Sequence, residues 1–283
     1  MPELPEVETV VRQLRPLVIR KRVRSLAFFD PRLGPPPREV FTDRRVLGVQ
    51  RVGKQIVLTF SATVDDPELL YIAVHLRMTG RLIVRARWEK PPEKHWRAVL
   101  EFEDGYLDFI DARRFGTILM ARNVEAFAPT GLDPLSQRFT ARALAKMLAG
   151  VRQPIKPWLI RQDRIVGLGN IYASEILFAA GIHPSRLAGS LSQKEIEQLQ
   201  DCCRRILNKA IKFCGTTFSD FQSATGESGA FQHFLKVYDR EALPCRACKT
   251  EIVRLVQAGR STFFCPHCQP KKSRPVKSSN RSR

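Results

Sequence analysis

The feature that most narrows the fold is a change of hydrophobic period near residue 130. Before it, short β-rich runs recur at Val46 to Val52, Gln55 to Phe60, Leu69 to Leu76, Arg81 to Arg85, Ala98 to Phe102, Tyr106 to Ile110 and Thr117 to Ala121. Gly53 and Glu103-Asp104-Gly105 punctuate them as turns, and Pro35-Pro36-Pro37 and Pro91-Pro92 read as loops. Repeated strands of this length predict a sandwich or flattened barrel. A helix precedes them to about Leu17, with Pro5 at its first position and Val7, Val10, Val11 and Leu14 as its apolar stripe.

From Thr130-Gly131-Leu132-Asp133-Pro134 onward the spacing is helical. Thr140 to Ala149 and Ile171 to Ala180 read as helices, the second ended by Gly181. In the clearest helix, Ser192 and Glu195 make a capping box, and apolar residues from Ile196 to Ile211 keep helical spacing until Gly215. No internal repeat is visible. The expected class is α+β, with residues 1–130 as a β-sandwich with flanking helices and 131–240 as a helical domain.

Seven cysteines divide unevenly. Cys202, Cys203 and Cys214 fall in a helical pattern and read as small core residues. The other four form a set: Cys245-x2-Cys248, sixteen residues, then Cys265-x2-Cys268. That spacing places four thiolates around one tetrahedral, structural Zn2+, and in a reducing compartment it outweighs disulfides. Between the pairs, Ile252 to Val256 and Ser261 to Phe264 read as two strands, so 241–270 is expected to be a zinc-bound hairpin presenting Arg260 at its tip. The remaining residues, 271–283, carry basic side chains among Ser and Pro and predict a disordered tail that attracts DNA weakly.

Charge narrows the partner. With 47 Lys plus Arg against 28 Asp plus Glu, a formal charge of +19 points to a polyanion, nucleic acid first. A membrane surface is the weaker alternative, since no long basic amphipathic helix or lipidation signal is apparent. There is no signal peptide and no apolar run of eighteen residues, which predicts a cytoplasmic, reducing location.

The start of the chain carries the chemistry. Removing Met1 from Met1-Pro2-Glu3-Leu4-Pro5-Glu6 leaves a terminal proline with carboxylates one and four residues behind it. A free α-amino group, with a pKa of roughly 7.7–8.0, is partly unprotonated near neutral pH and is therefore a nucleophile. Proline's secondary amine condenses with an aldehyde carbon to an iminium that has no N–H to lose. The fixed cation acidifies neighbouring C–H bonds and permits elimination, with Glu3 and Glu6 available to shuttle protons. Read structurally, the same residues merely open a helix.

The string Met1 to Thr9 resembles the opening of the bacterial formamidopyrimidine-DNA glycosylases, and further anchors run nearly to Gln269. The segment Gly167-Leu168-Gly169-Asn170-Ile171-Tyr172-Ala173-Ser174-Glu175 puts glycines and an Asn at a helix start whose free N–H groups suit a phosphate. It is similar to that family's helix–two-turn–helix element; the resemblance makes Asn170 and Lys156 DNA phosphate contacts. Met78 in His75-Leu76-Arg77-Met78-Thr79-Gly80, with Arg113 and Phe115 in Asp111-Ala112-Arg113-Arg114-Phe115-Gly116, matches the family's void-filling triad. Spacing alone makes Met78 and Phe115 core residues; the resemblance makes them a wedge and a stacking ring beside a guanidinium for the orphaned base.

The resemblance further implies Pro2 as nucleophile, Glu3 as proton carrier, Lys54 near the scissile phosphate, and His75 and Arg260 on the backbone. The implied activity is a bifunctional DNA glycosylase and abasic-site lyase, a monomer acting on oxidised purines in double-stranded DNA. Two departures stand out. Arg77 replaces the usual glycine before the methionine, and Ala230, in the loop Ser223 to Phe231 that covers the flipped base in the family, stands where many relatives have tyrosine. Alternatives are an endonuclease VIII-like enzyme for oxidised pyrimidines, whose usual opening lacks Leu4-Pro5, a non-catalytic zinc DNA-binding protein, and an RNA-binding zinc protein.

Overall fold

The computed structural model describes residues 1–35, 40–63, 67–92, 94–216 and 229–271. The expected tail from 272, and the loop from Ser223 up to residue 228, lie outside the described residues. Helix α1 (Leu4–Val18) leads into β1 (Val23–Phe28), β2 (Val46–Val52), β3 (Gln55–Phe60), β4 (Leu70–His75), β5 (Gly80–Ala86), β6 (Trp96–Phe102), β7 (Gly105–Asp111) and β8 (Thr117–Ala121). These strands form two four-stranded antiparallel sheets, ordered β1-β6-β7-β5 and β2-β3-β4-β8. The sheets bury Leu26, Leu100, Leu107 and Phe109 of the first with Leu58, Ile72 and Val74 of the second. Val7, Val10, Val11, Leu14 and Val18 of α1 complete that core, as their helical spacing requires.

The helical part comprises α2 (Ala141–Leu148), α3 (Ile155–Leu159), α4 (Asn170–Ala179) and α5 (Gln193–Lys212). Its core includes Leu144, Trp158, Tyr172, Ile176, Leu199, Cys203 and Leu207. Ser192 and Glu195 form the expected capping box of α5. Leu4 belongs to this helical core, while the rest of α1's apolar face belongs to the sandwich. The first turn of α1 is therefore the seam between two cores. The chain ends in a hairpin of β9 (Val253–Gln257) and β10 (Arg260–Phe264), over a small cluster of Val237, Cys245, Ile252, Phe263 and Cys265.

Several element ends shift by one or two residues from the sequence reading, as at β6, which begins at Trp96 and not Ala98, and three departures have a local cause. Strand β1 was not expected, because only Val23 and Leu26 are buried and a register shift after Val23 breaks the alternation a strand normally shows. Helix α3 is five residues around Pro157, too short to display a period. Strand β9 begins one residue later than expected, since Ile252 is buried in the cluster beneath the hairpin. No helix among the described residues is long and apolar enough to cross a membrane.

Candidate active site

Glu3 is the N-cap of α1, so Leu4 and Pro5 are its first two residues and the expected first position for Pro5 shifts by one. The Glu3 carboxylate is buried and enters the start of α4. Its Oε2 accepts the N–H groups of Gly169 (2.8 Å) and Tyr172 (3.3 Å), and its Oε1 accepts that of Ile171 (2.9 Å). A Cβ on Gly169 would lie 2.4 Å from Glu3 Oε1, so only glycine lets the carboxylate in. The expectation of free N–H groups for a phosphate at Gly169-Asn170 is thereby corrected. A carboxylate from the other end of the chain has taken the anion's place, for the same electrostatic reason.

Glu6 is equally engaged. Its Oε2 accepts the Glu3 N–H (2.8 Å), and its Oε1 accepts the Tyr172 hydroxyl (2.5 Å), the Thr216 N–H (2.8 Å) and the Thr216 hydroxyl (3.0 Å). Through Oε2, Glu6 holds the backbone of Glu3 in place, while its Oε1 takes the donors of Tyr172 and Thr216. Gly215, at a φ of +77°, lets the chain pass over this carboxylate.

Lys54 rises from the β2–β3 turn, is buried, and donates to the carbonyl of Leu168 at 2.9 Å. Burial lowers its pKa, opposed by Glu3 and reinforced by Arg260. Burial raises that of Glu3, opposed mainly by Lys54 and by the Ile171 and Tyr172 N–H groups. The α-amino group of Met1, one residue ahead of the Pro2 nitrogen, is also pushed down by burial, while Glu3 and Glu6 pull it up. Burial, the largest cause at both groups, favours an unprotonated amine beside a carboxyl able to carry a proton, against the opposing pull of the charges around them.

A cleft of about 640 Å³ opens here between sandwich and helices, lined by Met1, Lys54, His75, Arg77 and Arg260 among others. His75 ends β4, and its Nδ1 accepts the Arg77 N–H at 3.0 Å. Burial, with Arg77 and Lys54 adding, takes its pKa down to about 4, so the ring is neutral and its other nitrogen carries the proton. Arg77 has a φ of +54°, a left-handed conformation that glycine adopts with less strain.

Met78, Arg113 and Phe115 lie on neighbouring turns at the edge of the sandwich. Met78 is 41% exposed and Phe115 49%, so the spacing-based placement in the core is corrected for both. The Arg113 guanidinium lies 4.8 Å from the centre of the Phe115 ring. Lys156 departs from its expected place. It is buried, and its ammonium donates to Asn170 Oδ1 (2.7 Å), the Ser261 carbonyl (2.9 Å) and the Thr262 hydroxyl (2.7 Å). With all three donors engaged, it contacts no phosphate directly in this arrangement; it ties α4 to the hairpin. Burial lowers its pKa to about 7, with Glu3 opposing and Arg260 adding.

The sulfurs of Cys245, Cys248, Cys265 and Cys268 all lie within 4.8 Å of one another, and none of the cysteines is disulfide-bonded. Tetrahedral zinc with bonds near 2.3 Å needs sulfurs about 3.8 Å apart, so the set fits one ion with no open position. The knuckles accept N–H groups at sulfur, from Ala247 to Cys245 and from Cys268 to Cys265. Gln269 then fastens this end to the helical part, accepting the Cys265 N–H and donating to the Ile182 carbonyl. Arg260 begins β10, the strand that Lys156 ties to α4 through Ser261 and Thr262.

Three profiles match this arrangement in order: the formamidopyrimidine-DNA glycosylase N-terminal domain over residues 1–118, the formamidopyrimidine-DNA glycosylase H2TH domain over 130–222, and the zinc finger found in FPG and IleRS over 242–271. The chain belongs to the formamidopyrimidine-DNA glycosylase family. It is similar to the formamidopyrimidine-DNA glycosylases of Escherichia coli O7:K1 (41% identity over 276 residues) and Desulfitobacterium hafniense (39% over 279 residues), covering 95% of this chain and all of each relative. Among solved structures it resembles Lactococcus lactis Fpg bound to abasic-site DNA, with a TM-score of 0.84 and 31% identity, across 95% of this chain and all of that one. Thermus thermophilus MutM (FPG) gives 0.83 and 36%, across 96% of this chain and all of that one. A mutant of the Lactococcus protein has also been solved with DNA containing Fapy-dG, and the wild type with DNA containing an oxidised pyrimidine.

Sequence reasoning missed Tyr172, Thr216, Thr79 and Asp111. Thr79 follows Met78 and Asp111 lies two residues before Arg113, and that proximity was the available signal.

Proposed function

We propose that this chain removes oxidised purines from duplex DNA and then cuts the strand at the abasic site, using the amino terminus left when Met1 is removed. Pro2 nitrogen bonds to C1′ of the damaged nucleotide and the base departs with the glycosidic electron pair. Glu3 transfers a proton that opens the sugar ring, leaving an iminium. Loss of a sugar proton then expels the 3′ phosphate, and a second elimination expels the 5′ phosphate, so a one-nucleotide gap with phosphates at both ends remains.

The observation that carries this reading is the seating of Glu3 inside the start of α4, beside Lys54 and the amino terminus, both of which interact with it and border a cleft that Arg77 and Arg260 also line. Lys54, neutral His75 and Arg260 serve the phosphates on either side of the extruded nucleotide, the histidine as an N–H donor. Lys156 acts through Asn170 and the hairpin. Met78, Arg113 and Phe115 refill the duplex, and their exposure suits that task. Zinc is structural. The chain contacts double-stranded DNA as a cytoplasmic protein, within the boundaries near 130, 240 and 270 read from sequence.

A second reading, oxidised pyrimidines as substrates, is favoured by the Lactococcus relative's complex with such DNA. Excision rates on 8-oxoguanine, formamidopyrimidine and thymine glycol duplexes rank the two. The chemistry is tested by borohydride reduction during reaction with an abasic duplex. Mass spectrometry is expected to map the sugar remnant to Pro2, and an uncleaved amino-terminal extension to prevent the adduct. A remnant on a lysine, or undiminished trapping by the extended chain, would overturn the assignment.

A further inference from the structure

We propose that Asp111 is a positioning residue that locks the Met78 turn and the Arg113–Phe115 loop into one rigid wedge, without itself touching DNA. The proposal rests on the reading of those three side chains as the group that enters the duplex. Asp111 closes β7 opposite Gly80, the first residue of β5, so it stands where both turns leave the sheet. Its carboxylate is 1% exposed and faces inward.

Three donors converge on it, two from residues that follow a wedge residue and one from the wedge residue Arg113 itself. The hydroxyl of Thr79, which follows Met78, donates to Oδ1. The Arg113 N–H donates to the same oxygen at 3.2 Å and also reaches Thr79 Oγ1 at 3.1 Å. The N–H of Gly116, which follows Phe115, donates to Oδ2 at 2.7 Å. One acceptor-only side chain thus fixes both turns, and Thr79 carries the connection between them. Gly116 seats the loop tightly, since a Cβ there would lie 2.5 Å from the Phe109 ring. On the outer side, Asp30 grips the Arg114 guanidinium through Nε at 2.6 Å, and Arg97 Nε donates to the Asp111 carbonyl at 2.8 Å.

The physical reason for such a hub lies in what the wedge does. Side chains that part stacked bases are pushed back by the stack, and a loop free to yield would not hold the gap open. Burying the loops is excluded, because Met78 and Phe115 must remain uncovered. Stiffness therefore has to come from beneath, through backbone N–H groups. Asparagine cannot replace the carboxylate, since its NH2 would face a donor on one side or the other.

The test uses the whole zinc-loaded protein and single-turnover excision of 8-oxoguanine from two DNAs: a fully paired duplex, and the same strand with the lesion in an unpaired bubble where no stack has to be opened. Asp111→Asn and Thr79→Val are expected to slow excision from the duplex by about ten- to a hundredfold and from the bubble by less than about threefold, the range of one or two lost hydrogen bonds to a charged group. Thr79→Ser, which keeps the hydroxyl, restores the duplex rate. Melting temperature and zinc content are followed alongside, and if Asp111→Asn does not fold, the Thr79 pair decides. Equal losses on both DNAs, or no loss on the duplex, overturn the clamp. A wild type inactive on both DNAs would instead sink the underlying functional reading.

Discussion

The cradle around Glu3 and the wedge at Met78, Arg113 and Phe115 handle their side chains in opposite ways. In the cradle the functional carboxylate is sealed, with backbone N–H groups of α4 on both oxygens and a second carboxylate bracing its backbone. At the wedge the functional side chains stand in solvent, and only the backbone beneath them is held. On the proposed mechanism, proton transfer and bond formation tolerate little displacement, and the first region would fix the reacting atoms themselves. Parting a base stack needs apolar surface free to enter, so the second fixes the mount and leaves the blade bare.

The largest effect is expected where the sealed side breaks. Glu3→Gln keeps one acceptor for α4 but removes the proton carrier for ring opening, and should lower strand cleavage at an oxidised base by about 10²- to 10⁴-fold, the usual contribution of a positioned acid or base. Rapid-quench rates on an oxidised duplex check this. A loss below tenfold would mean that the cradle is only a cap. At the bare side, Phe115→Ala should leave unfolding free energy within about 0.5 kcal/mol, because the ring is half exposed, yet weaken lesion binding by about 1–3 kcal/mol, the worth of one stacked base. Urea melts and fluorescence titration read the two numbers separately, and the contrast fails if stability falls with affinity.

His75 lines the cleft and gives an effect of the same order as that at Phe115, read in stability alone. Its folded pKa of about 4 is below the ordinary 6.5, so on acidification the unfolded chain takes up a proton first. Its share of stability is present above about pH 6.5 and lost as pH falls toward 4. At pH 5 the deficit is about 2 kcal/mol, and His75→Gln should remove it and flatten the stability profile between those values. Denaturant midpoints at pH 7 and pH 5 measure the slope; an unchanged slope would place His75 outside the sealed region.

Sequence made legible whatever local pattern encodes. The β-to-helix transition, the capping box at Ser192 and Glu195 and the four-cysteine set need only neighbours a few residues apart. What stayed hidden was long-range. Nothing near Gly169 tells that its N–H is taken by Glu3, and nothing at Lys156 tells that its ammonium is spent on Asn170 and β10. Both residues looked available to DNA because their partners are distant in the chain. Strand β1 escaped for the complementary reason, since its irregular burial erases the period that strand recognition relies on.

Helix α1 straddles the two halves, with Leu4 planted in the helical core and Val7 to Val18 in the sandwich. Were the halves to swing apart, that first turn could not follow both, and the terminal nitrogen would be dragged from its bed before the cleft had widened far. The geometry ties the placing of the amino terminus to the packing of both halves at once.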